Sequence, residues 1–194
     1  NIAWHIADVI LVYACLRRMQ DNVFIALFVA LLFALHPVQT ESVSWIAARN
    51  KVMNGFFFLL AMYIYLGYLL DHKNSKLLWI YLCAIAAYLC KLTAVTLPFA
   101  LLAVDIWMHR PLKDKKVWLE KLPLVLLAIP VGIINLQAQA EVAFLDTHPE
   151  FSPWHTIVFA GYAYVQYIIN LLVPVKLSVL YPYPTAIGAI HILY

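Results

Sequence analysis

Charge is what this sequence has least of. Only 12% of its 194 residues are Asp, Glu, Lys or Arg, whereas 65% are hydrophobic and the mean hydropathy is +0.84. Soluble domains average roughly 25% charged and 45–50% apolar residues, so no soluble core absorbs this apolar excess. Glycine is also scarce, at five residues. Neither a Gly-rich phosphate loop nor a nucleophile elbow occurs, which excludes the usual soluble nucleotide-enzyme signatures. Cys15, Cys83 and Cys90 fall inside apolar runs, without zinc spacing or a disulfide framework, and read as small buried hydrophobes. The histidines His72, His109, His148, His155 and His191 are scattered without a His-x-x-x-His pair, so no metal site is expected. A formal net charge of +3 offers no footprint for nucleic acid. The opening residues lack the charged region and small-residue cleavage site of a signal peptide, and the chain is expected to be an internal piece.

What is present is a series of continuous apolar runs, unlike the alternating segments of a β-barrel. They cover residues 2–16, 23–35 with Asn22 as a plausible N-cap, 55–70, 77–90, onward through Pro98 to 107, 122–136 with a bend at Pro130, and 155–173. The expected fold is all-α, a polytopic transmembrane helical bundle of about seven membrane helices among membrane lipids. It is read as a single domain over residues 1–194. Residues 77–107 as one helix would reach about 46 Å, too long for one crossing, so a hairpin is expected near Lys91. The link 110–116 is the most basic and is placed in the cytoplasm by the positive-inside rule. Alternation then puts Arg17-Arg18 and Lys73/Lys76 on that face. Residues 36–51, the Lys91 turn and the acidic stretch 137–154 fall on the other.

Residues 36–51 form a polar island between two apolar runs. A helix from about Val38 would carry Glu41, Trp45 and Arg49 on one side, as an interfacial amphipathic helix. These are either boundary charges with an aromatic-belt tryptophan, or the lining of a surface cavity. In the second case the acid contacts a polar substrate and the guanidinium a phosphate, for which its fork is suited. Lys91 would share that face, either as a second cation for the same anion or as a snorkelling side chain. Asp8 stands one turn after His5 in the first run, with structural and substrate-side roles both open. Asp105 is expected to pair with Arg110.

The run Leu35-His36-Pro37-Val38-Gln39-Thr40-Glu41-Ser42-Val43-Ser44-Trp45-Ile46-Ala47-Ala48-Arg49 resembles the His-Pro-x-x-x-Glu-(Ser/Ala)-Val region of the transmembrane-and-tetratricopeptide-repeat protein family, closest to its bacterial-type relatives. Cys90-Lys91-Leu92-Thr93-Ala94-Val95-Thr96-Leu97-Pro98-Phe99, Asp105-Ile106-Trp107 and Leu180-Tyr181-Pro182-Tyr183-Pro184 follow in the same order. That family is similar to the GT-C glycosyltransferases. The resemblance implies a polytopic membrane enzyme that moves a mannose-like sugar from a polyprenyl-phosphate donor to a protein or other hydroxyl acceptor on the non-cytoplasmic face. A non-catalytic membrane scaffold or subunit derived from such an enzyme is the alternative. No cofactor is implied beyond the lipid-linked donor, and metal use is left open.

Position by position, the resemblance assigns Glu41 to the acid near the substrate cavity, and Arg49 and Lys91 to the carrier phosphate. His36 and Asp8 are further cavity candidates. The catalytic acid of the family lies in a loop after its first helix, and this chain is expected to begin at the second helix and to lack the tetratricopeptide repeats. Two positions depart from the family pattern: Lys51 stands where many relatives have Asp, and Gln39 where they have a second His. The bacterial inner membrane is the preferred location, with the endoplasmic reticulum membrane expected if the chain is eukaryotic.

Overall fold

The structure, a computed structural model, describes residues 1–141 and 153–174, and every regular element among them is helical. The chain divides into two compact units, Asn1–Ala138 and Gln139–Tyr194. In the first, α1 (Ile2–Met19) and α2 (Val23–Leu35) are followed by three short pieces: a 3-10 turn at Pro37–Gln39, α3 (Thr40–Ser44) and a second 3-10 turn at Ile46–Ala48. Next come α4 (Arg49–Asp71), α5 (Ser75–Cys90), a 3-10 segment at Leu92–Thr96, α6 (Leu97–Trp107) and α7 (Lys115–Glu141). The second unit contributes α8 (Pro153–Leu172), in which the Gln166 amide donates to Asn170 Oδ1 at 3.1 Å. The acidic stretch 142–152, the Tyr181-Pro182 motif, His148 and His191 lie outside the described residues.

The helix ends follow from local chemistry. Asn22 Oδ1 accepts the Phe24 and Ile25 N–H groups at 3.0 and 3.2 Å, the N-cap expected from the sequence. His72 closes α4 in the left-handed conformation at φ 54, its N–H bonded to Tyr68 O at 2.8 Å. Lys91 takes an extended conformation after α5, so the chain breaks where a hairpin was expected. One boundary differs: α7 starts at Lys115 rather than near 122, taking Glu120 and Lys121 into the helix.

Among the described residues, two helical stretches are long and apolar enough to cross a membrane, Ile46–Asp71 and Lys115–Ala138. A third arises if Val23–Leu35 and Pro37–Ser44, bent by 47°, count as one broken span. The expectation was about seven. The other apolar helices are shorter or carry charge: α5, Leu92–Trp107 and Ile157–Leu172 are apolar with 10–17 residues, and α1 carries Asp8, Arg17 and Arg18. Large side chains such as Phe24, Phe28, Trp79, Leu89, Leu119 and Ile134 stand exposed around the first unit. Apolar exposure on that scale marks a lipid-facing surface, and the protein is an all-helical membrane protein.

α4 is the centre of the first unit, packed against α1, α5 and α6. Its Ala61 and the α5 alanines Ala84 and Ala87 are fully buried, which lets the helix backbones approach closely. Tyr65, Leu66 and Tyr68 fill the space toward Leu101 and Val104 of α6 and Leu124 of α7. Contacts define two ends. At one, Arg18 donates to Tyr63 O at 2.7 Å, Lys76 to Gly67 O at 2.9 Å, and the Trp107 indole to Met19 O at 3.2 Å. At the other, Asn1 reaches Trp45 O at 2.6 Å, and Asn54 donates to Ala87 O and Lys91 O at 2.9 and 3.0 Å. The basic clusters Arg17-Arg18 and Lys73/Lys76 therefore gather away from the island and the Lys91 turn, matching the alternation read from the sequence.

The basic end also holds a buried charge network. Tyr65 donates to Asp105 Oδ1 at 2.6 Å, Tyr68 to Glu120 Oε1 at 2.5 Å, and Lys121 to both Asp105 and Tyr65. Arg110 binds both Glu120 oxygens, at 2.6 and 2.9 Å, and reaches Asp105 at 3.4 Å. The expected Asp105–Arg110 pair is thus present, but Lys121 is the closer cation. Bonding to Glu120 holds the Arg110 guanidinium well above its ordinary pKa. Two acids and two bases balance inside the protein, so removing one partner strands a buried charge. Glu120→Ala is expected to cost about 3–5 kcal/mol, read as a lowered thermal unfolding midpoint in detergent. Glu120→Met with Arg110→Met keeps the Asp105–Lys121 pair and should recover most of the loss; equal losses in both variants would show that charge balance is not the cause.

Candidate functional site

The polar island is not one amphipathic helix. Pro37 supplies the fixed φ that starts a 3-10 turn after His36, and His36 Nδ1 accepts the Val38 N–H at 3.2 Å as a local cap. α3 then lasts five residues before Trp45, extended at φ −85 and ψ 117, interrupts the helical path. The expectation that Glu41, Trp45 and Arg49 share one helix face is therefore corrected. Glu41 is in α3, Trp45 is the break, and Arg49 begins α4. The break has a covalent-geometry cause: one extended residue redirects the axis, so the i, i+4, i+8 register no longer applies.

The redirected chain brings Glu41 to a residue that sequence spacing had not paired with it. Lys51 Nζ meets Glu41 Oε1 at 2.5 Å across the α3–α4 junction, both side chains being partly exposed. Arg49 is exposed, and among the described residues its guanidinium makes no hydrogen bond or ion pair. α4 starts with Arg49 and Lys51, no acidic residue stands in its first turn, and no side chain caps it. Cations at a helix N-terminus oppose the macrodipole, so this arrangement favours a nearby anion. Lys91 is half-buried at the same end, its backbone carbonyl held by Asn54, while its ammonium makes no bond among the described residues. Arg49, Lys51 and Lys91 thus share an end of the bundle without touching one another.

His36 lies on a different wall. It lines a cleft of about 240 Å³ with His5, Ala34, Leu35, Gln39, Thr40, Val43 and Ser44, between α1, the end of α2 and α3. His5 Nε2 contacts Ala34 O at 3.2 Å and its ring packs against Phe33 at 5.5 Å. Asp8 belongs to neither group. It is 3% exposed inside the bundle, and its Oδ1 is one of two buried side-chain atoms without a hydrogen-bond partner among the described residues. Its other oxygen faces Gly55 of α4, where an added Cβ would stand 3.3 Å away. A carboxyl group placed among apolar helices without a partner is costly, and the missing side chain at Gly55 is what admits it.

Three features escaped the sequence reading: Lys51 as the partner of Glu41, Asn54 as the latch on the Lys91 turn, and the Glu120–Lys121 contribution to the buried network. Lys51 could have been found only by knowing the bend at Trp45. Glu120 and Lys121 were hidden because they fell between the basic link 110–116 and the apolar run from 122 and were assigned to neither. Among the described residues, no group of three or more His, Cys, Asp or Glu side chains comes together to hold a metal ion.

Comparison with known proteins points one way. The chain is similar to Protein O-mannosyl-transferase Tmtc1 of Drosophila melanogaster, 31% identical over 96 residues, which is 50% of this chain and 11% of that protein. It is 39% identical to Protein O-mannosyl-transferase TMTC1 of Homo sapiens over 66 residues, 34% of this chain and 8% of the relative. The longest of the three alignments is to Protein O-mannosyl-transferase F38B6.6 of Caenorhabditis elegans, 22% identical over 193 residues, covering 91% of this chain and 26% of the relative. The chain therefore spans a minor part of the length of each. No family model matches, and no solved structure matches. The relatives are protein O-mannosyl-transferases by name, in keeping with the resemblance found in the motifs.

The Asp8–Gly55 contact makes a direct prediction. Gly55→Val adds branched volume against a carboxylate already 3.3 Å from the Cβ position and should destabilise the bundle by about 1–3 kcal/mol. In an Asp8→Ala background the same substitution should cost distinctly less. Thermal unfolding of the four proteins reads the coupling, and strict additivity would place the two residues out of contact.

Proposed function

We propose that this chain is the membrane part of a glycosyltransferase that moves a mannose-like sugar from a polyprenyl-phosphate donor to a hydroxyl acceptor, a protein among the candidates, on the non-cytoplasmic face. The carrying observation is the uncompensated positive charge at the start of α4, where Arg49 has no partner among the described residues and Lys51 has only the exposed Glu41. A lipid-linked phosphate at the bilayer boundary is an anion that such a site suits, since cations there stabilise charge developing on the departing phosphate. Arg49 and Lys91 are assigned to that phosphate and Glu41 to the substrate side. The names of the relatives support the reaction class. A GT-C-like bundle of about seven membrane helices is the architecture in which this reading places the chain, with the bacterial inner membrane preferred over the endoplasmic reticulum.

The general base that activates the acceptor hydroxyl is assigned to none of these residues. Lys51 gives Glu41 a second role, because an exposed ion pair is worth only about 0–1 kcal/mol and is readily exchanged for a phosphate. The same pair is what favours the alternative reading, a scaffold in which Glu41 and Lys51 simply satisfy each other. The two readings separate in a transfer assay on the intact membrane protein with defined polyprenyl-phosphate sugars. As an enzyme, it binds donor and turns over, and Arg49→Ala or Lys91→Ala lowers kcat by on the order of 10²-fold. Donor binding and turnover unchanged in both variants would remove the assigned roles, and an intact protein without transfer activity would favour the scaffold.

A further inference from the structure

We infer that the cleft between α1, the end of α2 and α3 is the subsite for the uncharged sugar ring of the donor, with Gln39, Thr40 and His5 as its specificity-determining groups. This rests on the glycosyl-transfer reading above. The cleft is lined by no charged side chain, and Glu41 is the next residue in the chain after its lining residue Thr40. On α3, Thr40, Val43 and Ser44 fall on one face, while Glu41 lies about 100° further round and meets Lys51 of α4. A neutral wall bordering a charged edge is the order that a sugar bonded to a phosphate requires.

The hydrogen-bonding functions in the cleft fit hydroxyl groups. His5 Nε2 can contact Ala34 O only as a donor, which leaves the neutral ring with an acceptor at Nδ1. The Gln39 amide and the Thr40 hydroxyl make no side-chain hydrogen bond among the described residues, and each both donates and accepts. Ser44 is committed to Thr40 O. Neighbouring hydroxyls on a sugar ring likewise donate and accept, whereas a phosphate would need cations; Ala34, Leu35 and Val43 supply an apolar wall against which the carbon face of a ring can pack. At about 240 Å³ the cleft is below the roughly 300–1,000 Å³ of sites for drug-sized ligands, a size for one ring rather than an oligosaccharide.

The test compares two probes on the intact protein in lipid nanodiscs: polyprenyl-phosphate mannose and the same polyprenyl phosphate without sugar. Gln39→Leu with Thr40→Val should weaken binding of the sugar-bearing probe about tenfold, as the loss of about 1.4 kcal/mol would, and leave the sugar-free probe unchanged. Arg49→Ala should weaken both. Thr40→Ser should retain the affinity that Thr40→Val loses, and an unaltered thermal midpoint excludes misfolding as the cause. Equal effects of the cleft variants on both probes, no effect on either, or an effect confined to the acceptor KM would overturn the subsite while leaving the transferase reading standing. A wild-type protein that binds neither probe would overturn both.

Discussion

The structure depends on α4 being held at both of its ends while its middle is closed by small residues. At the basic end the hold is a buried set of two carboxylates, a guanidinium, an ammonium and two tyrosyl hydroxyls, linking α4 to α6, α7 and the link between them. Such charges cost several kcal/mol each to take out of water. Here every one has an opposite charge and a hydroxyl within reach. Nothing in that network touches the island. Its physical effect is to fix where α4 lies, and therefore where the residues at the start of α4 stand.

At the opposite end the hold is lighter and polar. Asn54 donates to two carbonyls around the end of α5, Asn1 reaches the backbone at Ser42 and Trp45, and Lys51 meets Glu41. These are single hydrogen bonds and one exposed ion pair, each worth about 1 kcal/mol or less. A tightly fixed end and a lightly tied end suit a protein whose chemistry, on the reading proposed, needs the light end to admit a lipid-linked substrate. The same asymmetry follows the positive charge, because Arg18, Lys76 and Arg110 are bonded at the firm end while Arg49 has no partner among the described residues.

Much of this was legible in the sequence. Continuous apolar runs with little charge between them set an all-helical membrane protein, because backbone groups in lipid must be satisfied within the helix. Asn22 was readable as a cap, Lys91 as a break, Asp105 as a partner of Arg110, and the distribution of Arg and Lys as two separate ends. The count of spanning helices was less legible. Hydropathy sees the run, but the usable length depends on where local breaks such as Lys91 fall and on how α2 bends into the pieces that follow it.

The sequence alone determined which residues are polar in an apolar chain, since composition and spacing need no coordinates. Which of those polar residues meet was decided by the tertiary structure. One extended residue, Trp45, turned an expected helix face into two elements and gave Glu41 the partner Lys51. The seven-residue shift in the start of α7 brought Glu120 and Lys121, which lay between the expected link and the expected helix, into the core beside Asp105. Asp8 was visible as an acid in an apolar run, but its place against Gly55 was not. Periodicity fixes neighbours within a helix, while contacts between helices depend on breaks and packing that a one-dimensional pattern does not encode.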